Sequence, residues 1–379
     1  MDFDFSDDQE QLRDAVRRWV DKSYGFERRR EIVKAGGFDR GVYGQLAELG
    51  LTALYVPEAH GGLGQGPVEA MVVMEELGRG LVLEPLAQGA LIAPTALQAA
   101  PDSVQAEWLP KIAGGEALVV LAHQERKARY RLAHVETKAA KAGDGWTLSG
   151  VKSLVPAGDR ADAFIVPARV QGAVDDPSGI ALFLVERSAN GVKTLAYHEQ
   201  DGSRGAEVTL TDAPAVQVAA PGKAWDALQA AVDAGIAALC AEAVGAMDKL
   251  LLMTAEYLNT RKQFGVPIAS FQALRHRMAD CKMQLELARS MSYFASLKLN
   301  DDPATRRRAI SQAKVQLGRS MRQLGQDCIQ MHGGIGVTDE YAGSHYFKRL
   351  TCMEMTFGDT LHHLGEVSAG MQATAGVFA

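Results

Sequence analysis

Between Gln330 and His363 the chain carries residues whose types could act on a bound ligand. Gln330-Met331-His332-Gly333-Gly334-Ile335-Gly336 sets a glycine pair after a helical pattern. Glycine lets backbone N–H groups approach a ligand with no Cβ in the way. Further on, Phe357-Gly358-Asp359-Thr360-Leu361-His362-His363 holds one carboxylate, Asp359, between a glycine and a threonine. A ligand-approach site followed by a lone acid reads as a cofactor edge and a proton acceptor. The same residues also read as a helix stop and a surface turn, because glycine so often ends helices.

Three segments must position these residues. Residues 1–118 read as helices: Ser6 to Gln9 has the spacing of a capping box, and Leu12, Val16, Trp19 and Val20 follow at helical intervals. Val56 to Gly64 is a loop, crowded with breakers. Its Gly62-x-Gly64 ends in Pro67 rather than glycine and follows no strand, so it is not a dinucleotide fingerprint. Residues 119–220 switch to short apolar or alternating runs between Gly/Asp/Pro clusters, the pattern of strands in a sandwich or small barrel. Gly143-Asp144-Gly145 is a hairpin-type turn. Residues 221–379 return to long helices, expected at Trp225–Asn259, 269–298, 303–330 and after Asp359, a four-helix bundle. The fold class is therefore α+β: helical domain, β-domain, helical bundle. Broad apolar helix faces point to burial on more than one side, hence to an oligomer.

Composition narrows the class. The 379 residues are 47% hydrophobic and 23% charged, an ordinary globular balance. A net charge of −6 points away from nucleic acid and anionic membrane. No apolar run approaches the ~18 residues of a membrane span. The acidic N-terminus lacks the basic and apolar regions of a signal peptide, so a cytoplasmic chain is expected. Cys240, Cys281, Cys328 and Cys352 are scattered without metal-type spacing and are expected in the core; no metal is expected.

With this domain order, four motifs resemble the flavin-dependent acyl-CoA dehydrogenase family. Val56-Pro57-Glu58-x-x-Gly61-Gly62-Leu63-Gly64 and Glu75-Glu76-Leu77-Gly78 resemble its first domain. Arg261-Lys262-Gln263-Phe264-Gly265 with Phe271-Gln272 resembles its bundle, and Gln330-x-x-Gly333-Gly334-x-Gly336 its C-terminal glycine turn. The resemblance covers essentially the whole chain. The ending Phe-Gly-Asp-x-x-His-His-Leu is similar to the small-subunit type of pimeloyl-CoA dehydrogenase.

The resemblance implies FAD as cofactor, an acyl-CoA thioester as substrate and electron-transferring flavoprotein as acceptor. It also implies a tetramer, either of identical chains or with a paralogous subunit. Arg261, Phe264, Gln272, Gln330, Gly333, Gly334, Thr360 and His362 match cofactor-binding positions. Arg261 suits a pyrophosphate physically, being a permanently charged forked donor. Gln330, Gly333 and Gly334 match positions that reach the adenine half of FAD held by a neighbouring subunit. Without the resemblance, the glutamines read as solvated helix faces and Arg261 as a charge at a helix C-terminus.

The family reaction moves an α-proton to a carboxylate and a β-hydride to flavin N5, so the base must be a carboxylate of raised pKa. In most members that base is the glutamate of Tyr-Glu-Gly-Thr. Here Phe357-Gly358-Asp359-Thr360 stands in its place, glycine for glutamate, with Asp359 one position later. An alternative family position matches Gly235; Asp233 and Glu242 on the same helix align with neither and read as solvated or structural. The family's Thr-Glu-Pro-Gly-x-Gly-Ser-Asp loop is replaced by His123 to Tyr130. Its flavin-facing Trp-x-Thr matches Leu154 and Pro156. Proline has no N–H to offer the flavin. Two readings follow: a dehydrogenase with Asp359 as base, or a non-catalytic or half-catalytic subunit that helps hold FAD for a partner. An oxygen-using flavoenzyme of the same fold is a third, with no residue pointing to an oxygen pocket.

Overall fold

The computed structural model describes residues 5–374. The first residues of the acidic N-terminus, 1–4, and the last of the expected bundle, 375–379, lie outside the described residues. Helices α1 (Asp7–Ser23), α2 (Phe26–Lys34), α3 (Arg40–Glu48), α4 (Pro67–Arg79), α5 (Ala93–Leu97) and α6 (Asp102–Ala113) come first. Ser6 and Gln9 do form a capping box on α1, each side chain bonded to the other's backbone N–H. Asp39 caps α3 by accepting from the N–H groups of Gly41 and Val42. Gly50 then ends the segment at φ 78°, a conformation open to glycine.

Strands β1 (Val119–Leu121), β2 (Lys138–Ala142), β3 (Gly145–Pro156), β4 (Ala163–Arg169), β5 (Ile180–Glu186), β6 (Val192–His198) and β7 (Arg204–Ala219) form one sheet. Its order is β1-β4-β2-β3-β7-β5, with β6 on β7, and a β4–β5 pairing closes the path into a barrel. Gly143-Asp144 makes the expected hairpin, with Ala142 opposite Gly145. Leu148, Phe164, Val166, Phe183, Val208 and Leu210 fill the interior. β6 is absent from the sequence expectation: Val192 to His198 alternates apolar and polar residues only imperfectly, and its pairing with the long β7 makes it a strand.

The chain ends with α7 (Ala224–Thr260), α8 (Gln272–Leu297), α9 (Pro303–His332), α10 (Ala342–Met355) and α11 (Thr360–Thr374). Between α7 and α8 lies a small hairpin of β8 (Lys262–Gln263) and β9 (Val266–Pro267). α10 is missing from the expectation because Gly343, Ser344 and His345 break its apolar pattern, yet all three are buried. By packing, α1, α4 and the chain from Ile236 onward form one compact unit, and Arg30–Gly66 with Leu83–Gly235 form another. All four cysteines are buried, free thiols. No helix among the described residues is long and apolar enough to cross a membrane.

Candidate functional site

The turn between α10 and α11 is built around Gly358. Phe357 at φ 58° and Gly358 at φ 114° bring two successive residues into left-handed backbone. For Phe357 that conformation carries a cost of about 1 kcal/mol or more, so the surroundings must hold it. They do so from α9. Lys314, fully buried, donates to the carbonyls of Met353 (3.0 Å), Glu354 (2.8 Å) and Gly358 (2.9 Å), using all three ammonium hydrogens. Burial pushes the Lys314 ammonium down to about 8, while Cys240, Glu354 and Asp359 pull it back up.

His363 packs under the same turn. Its Nε2 lies 3.1 Å from the carbonyl of Phe357, and its Nδ1 lies 3.2 Å from Ser311 Oγ. A carbonyl can only accept, so Nε2 carries the hydrogen and Nδ1 accepts from the serine, which is the neutral ring. Burial, then the charges of Lys314 and Arg307, push its pKa down to about 2.

The structure places Asp359 at the start of α11. Its carboxylate accepts from the His362 N–H at 2.8 Å, and its carbonyl accepts from the His363 N–H. That is the geometry of an N-cap, where a negative side chain also meets the positive end of the helix. Thr360 donates both its N–H (3.0 Å) and its hydroxyl (2.7 Å) to the buried carboxylate of Glu354. His362 is half-buried beside Asp359, its pKa lowered chiefly by burial.

The remaining candidates gather at one end of the same unit. α7 stops at Thr260, and Arg261 leads into the β8–β9 hairpin, whose turn residues Phe264 and Gly265 have φ 53° and 80°. Phe264 stands 90% exposed at the tip, its ring edge-on to Phe271 at 6.0 Å. Arg261 and Gln272 are exposed, and the Arg261 guanidinium has no partner among the described residues. The ends of α7 and α9 are joined by rings: Tyr257 lies 4.7 Å from His332, whose Nε2 meets the Tyr341 hydroxyl at 2.7 Å. On either side of His332, Gln330, Gly333 and Gly334 are exposed, and a Cβ on either glycine would meet nothing within 4 Å. A free forked cation, two open glycines and an exposed amide at one end of a bundle fit the pyrophosphate and adenine half of FAD.

The β-domain is built differently where the family faces the flavin ring. Leu154 has φ 52°, and its N–H donates to the Tyr197 hydroxyl at 2.9 Å. The loop from His123 is tied to its own barrel. Glu125 accepts from the N–H of Glu136 and Thr137, the Thr137 hydroxyl and Lys152 Nζ, the last at 2.7 Å. Glu242 is buried and accepts from Arg349 Nε at 2.6 Å, which decides for the structural alternative over the solvated one; Asp233 is buried too. Lys314 and Glu354 escaped the sequence reading. The available signal was a lysine at a position flanked in the helical repeat by the buried Ile310, Ala313, Leu317 and Met321.

Three family domains match the chain in order: acyl-CoA dehydrogenase N-terminal domain over 6–116, middle domain over 121–212 and C-terminal domain over 222–371. The chain belongs to the acyl-CoA dehydrogenase family. That family is FAD-dependent and dehydrogenates acyl-CoA, so this is an oxidoreductase with FAD as cofactor. Acyl-CoA dehydrogenase FadE12 of Mycobacterium tuberculosis is 29% identical over 356 residues, covering 89% of this chain and 88% of the relative. Among solved structures, the ChsE4-ChsE5 complex from Mycobacterium tuberculosis aligns at TM-score 0.88 and 26% identity, covering 99% of this chain and 100% of that one. The Tcur3481-Tcur3483 steroid acyl-CoA dehydrogenase aligns at TM-score 0.88 and 28% identity, covering 97% and 99%.

Proposed function

We propose that this chain is the FAD-holding member of a heteromeric acyl-CoA dehydrogenase whose paralogous partner subunit supplies the carboxylate base. The observation that carries this is at Gly358, the position of the family's glutamate. Its φ of 114° excludes ordinary side chains, and a Cβ there would stand 2.5 Å from His362 Cδ2 and 2.8 Å from His363 Nε2. The space a base would need is filled by two imidazoles. Two structures similar to this chain, ChsE4-ChsE5 and Tcur3481-Tcur3483, are pairs of different proteins, which supports the same arrangement here.

In this reading Arg261, Phe264, Gln272, Gln330, Gly333 and Gly334 hold the pyrophosphate and adenine half of FAD across a subunit interface. Thr360 and His362 border its other end. FAD, when bound, supplies the acceptor for the substrate β-hydride. The chain's own contribution is to bind and orient; electron-transferring flavoprotein is the proposed acceptor. The test is flavin stoichiometry and bleaching by acyl-CoA for the chain alone and for the chain co-expressed with its paralogue. Full flavin loading and bleaching by the chain alone would overturn the proposal.

One observation favours the second reading, in which Asp359 is the base: a carboxylate does stand next to Gly358, half-buried and within electrostatic reach of Lys314. Asp359→Asn, made in the assembled enzyme, separates the two. Loss of bleaching with flavin retained assigns the base to Asp359. Unchanged bleaching assigns it to the partner.

A further inference from the structure

One stripe of α9 reads the whole α10–α11 turn. Ser311 faces His363 Nδ1, Lys314 binds three carbonyls, Gly318 lies against the Thr360 hydroxyl, and Arg322 comes within 3.8 Å of Glu354. At Gly318 any side chain would overlap Thr360, so the helix and the turn are in direct contact there. The stripe has the spacing of successive turns of one helix face. Among its members Lys314 alone joins both halves of the turn. Met353 and Glu354 lie in the last turn of α10, where the Met353 carbonyl also accepts from the Thr356 N–H, and Gly358 immediately precedes Asp359 and Thr360.

We propose that Lys314 is a positioning residue for the cofactor: its ammonium clamps the Gly358 peptide to the end of α10 and thereby sets where Thr360 and the start of α11 meet the flavin. The clamp is geometric. An ammonium satisfied by three carbonyls holds their relative positions as a bound cation would, and strong charge-assisted bonds make it stiff. Burial costs such a cation its solvation, which the three carbonyls offset, and an apolar side chain in its place would leave those carbonyls without this donor. The groups that face it are Cys240 from α7, Glu354 from α10, and Asp359, His362 and His363 around the start of α11. Burial lowers the pKa of both imidazoles, while the Glu354 and Asp359 carboxylates act on Lys314 in the opposite sense to its burial and raise its pKa.

The inference rests on the reading that Thr360 borders FAD, and the experiment separates the two. Visible circular dichroism of the bound flavin and the rate of FAD release on dilution are measured for the assembled protein carrying Lys314→Met or Thr360→Ala, between pH 7 and 10. Lys314→Met keeps the side-chain volume and removes the ammonium. It is expected to change the flavin dichroism and to speed release about tenfold. The parent protein is expected to take on the variant's spectrum as pH rises past about 8, where Lys314 loses its proton, while the variant stays flat. A parental spectrum in Lys314→Met overturns the clamp if Thr360→Ala alters the flavin. A parental spectrum in Thr360→Ala overturns the placement of FAD against this turn, and the clamp's role with it. Should Lys314→Met fail to fold, the pH titration of the parent protein decides: an unchanged flavin spectrum across the range overturns the clamp.

Discussion

The Nε2 atom of His363 lies 2.8 Å from the point where a Cβ on Gly358 would stand. Each residue therefore fixes the other. The glycine makes room for a buried ring, and the ring leaves no room for anything but glycine. Gly358→Ala combines this overlap with a φ of 114°. The variant is expected to lose about 2 kcal/mol of stability, read as a lowered denaturant midpoint. Gly358→Glu is expected to be worse and to restore no base. A Gly358→Glu protein that folds normally and bleaches its own flavin with acyl-CoA would show that the turn can be rebuilt.

Arg261→Ala removes a guanidinium with no protein partner among the described residues. Little folding energy should go with it. Flavin retention should fall, because one charge-assisted contact is worth about 1.5–3 kcal/mol, or roughly 10- to 100-fold in affinity. Flavin occupancy after gel filtration and melting temperature, measured together, check both halves. Unchanged occupancy with a lowered melting temperature would make Arg261 a helix-end residue only.

Buried histidines make the fold sensitive to acid. His123, His332, His345 and His363 all have pKa values pushed below the ordinary imidazole range, chiefly by burial, to about 4 for His123 and about 2 for His363. As pH falls, the unfolded chain takes up these protons first, near the usual value of about 6.5. Their contribution is complete above that pH and is lost progressively toward the folded values. Each ring bound only by the unfolded chain gives a slope of about 1.4 kcal/mol per pH unit. Urea midpoints between pH 7.5 and 5 should fall steeply, and His363→Asn should flatten the slope by about one proton. An unchanged slope would mean His363 already carries a proton when folded.

In the β-domain, Lys152 Nζ and Glu125 Oε1 meet at 2.7 Å with both side chains buried. Glu125→Gln keeps the shape and removes the negative charge that partners the ammonium, which retains the Pro167 carbonyl; breaking a buried pair from one side costs about 3–5 kcal/mol. Glu125→Gln and Lys152→Met, made singly and together and read by thermal melting, form a double-mutant cycle that measures the coupling. A loss in the double variant equal to the sum of the two single losses would show that the pair contributes no coupling of its own.

Much of the fold was legible because local signals agreed. Ser6 and Gln9, Gly50 and the Gly143-Asp144 turn each marked a boundary by its own chemistry, whereas the Asp39 cap of α3 shows only in the structure. What escaped was decided by tertiary contact. α10 carries Ser344 and His345 inward, against the apolar pattern, because His345 meets Arg29 at 3.0 Å inside the unit. Lys314 reads as an error in an apolar stripe until three carbonyls from the far turn are seen around it. At the candidate site, the substitution of glycine for glutamate was plain in the sequence. The reason no other residue could stand there was not, since it depends on two rings that follow Gly358 in the chain and fold back over it.

The hairpin tip at Phe264 has a consequence for how the protein must be made. Phe264, Val337 and Leu361 are 90%, 74% and 76% exposed on the single chain. Each is an apolar side chain on defined backbone, so it cannot hide by local collapse. A chain not yet assembled would carry these adhesive points into a crowded solution and be open to aggregation or degradation. Early encounter between newly made chains is the condition under which such a surface is harmless.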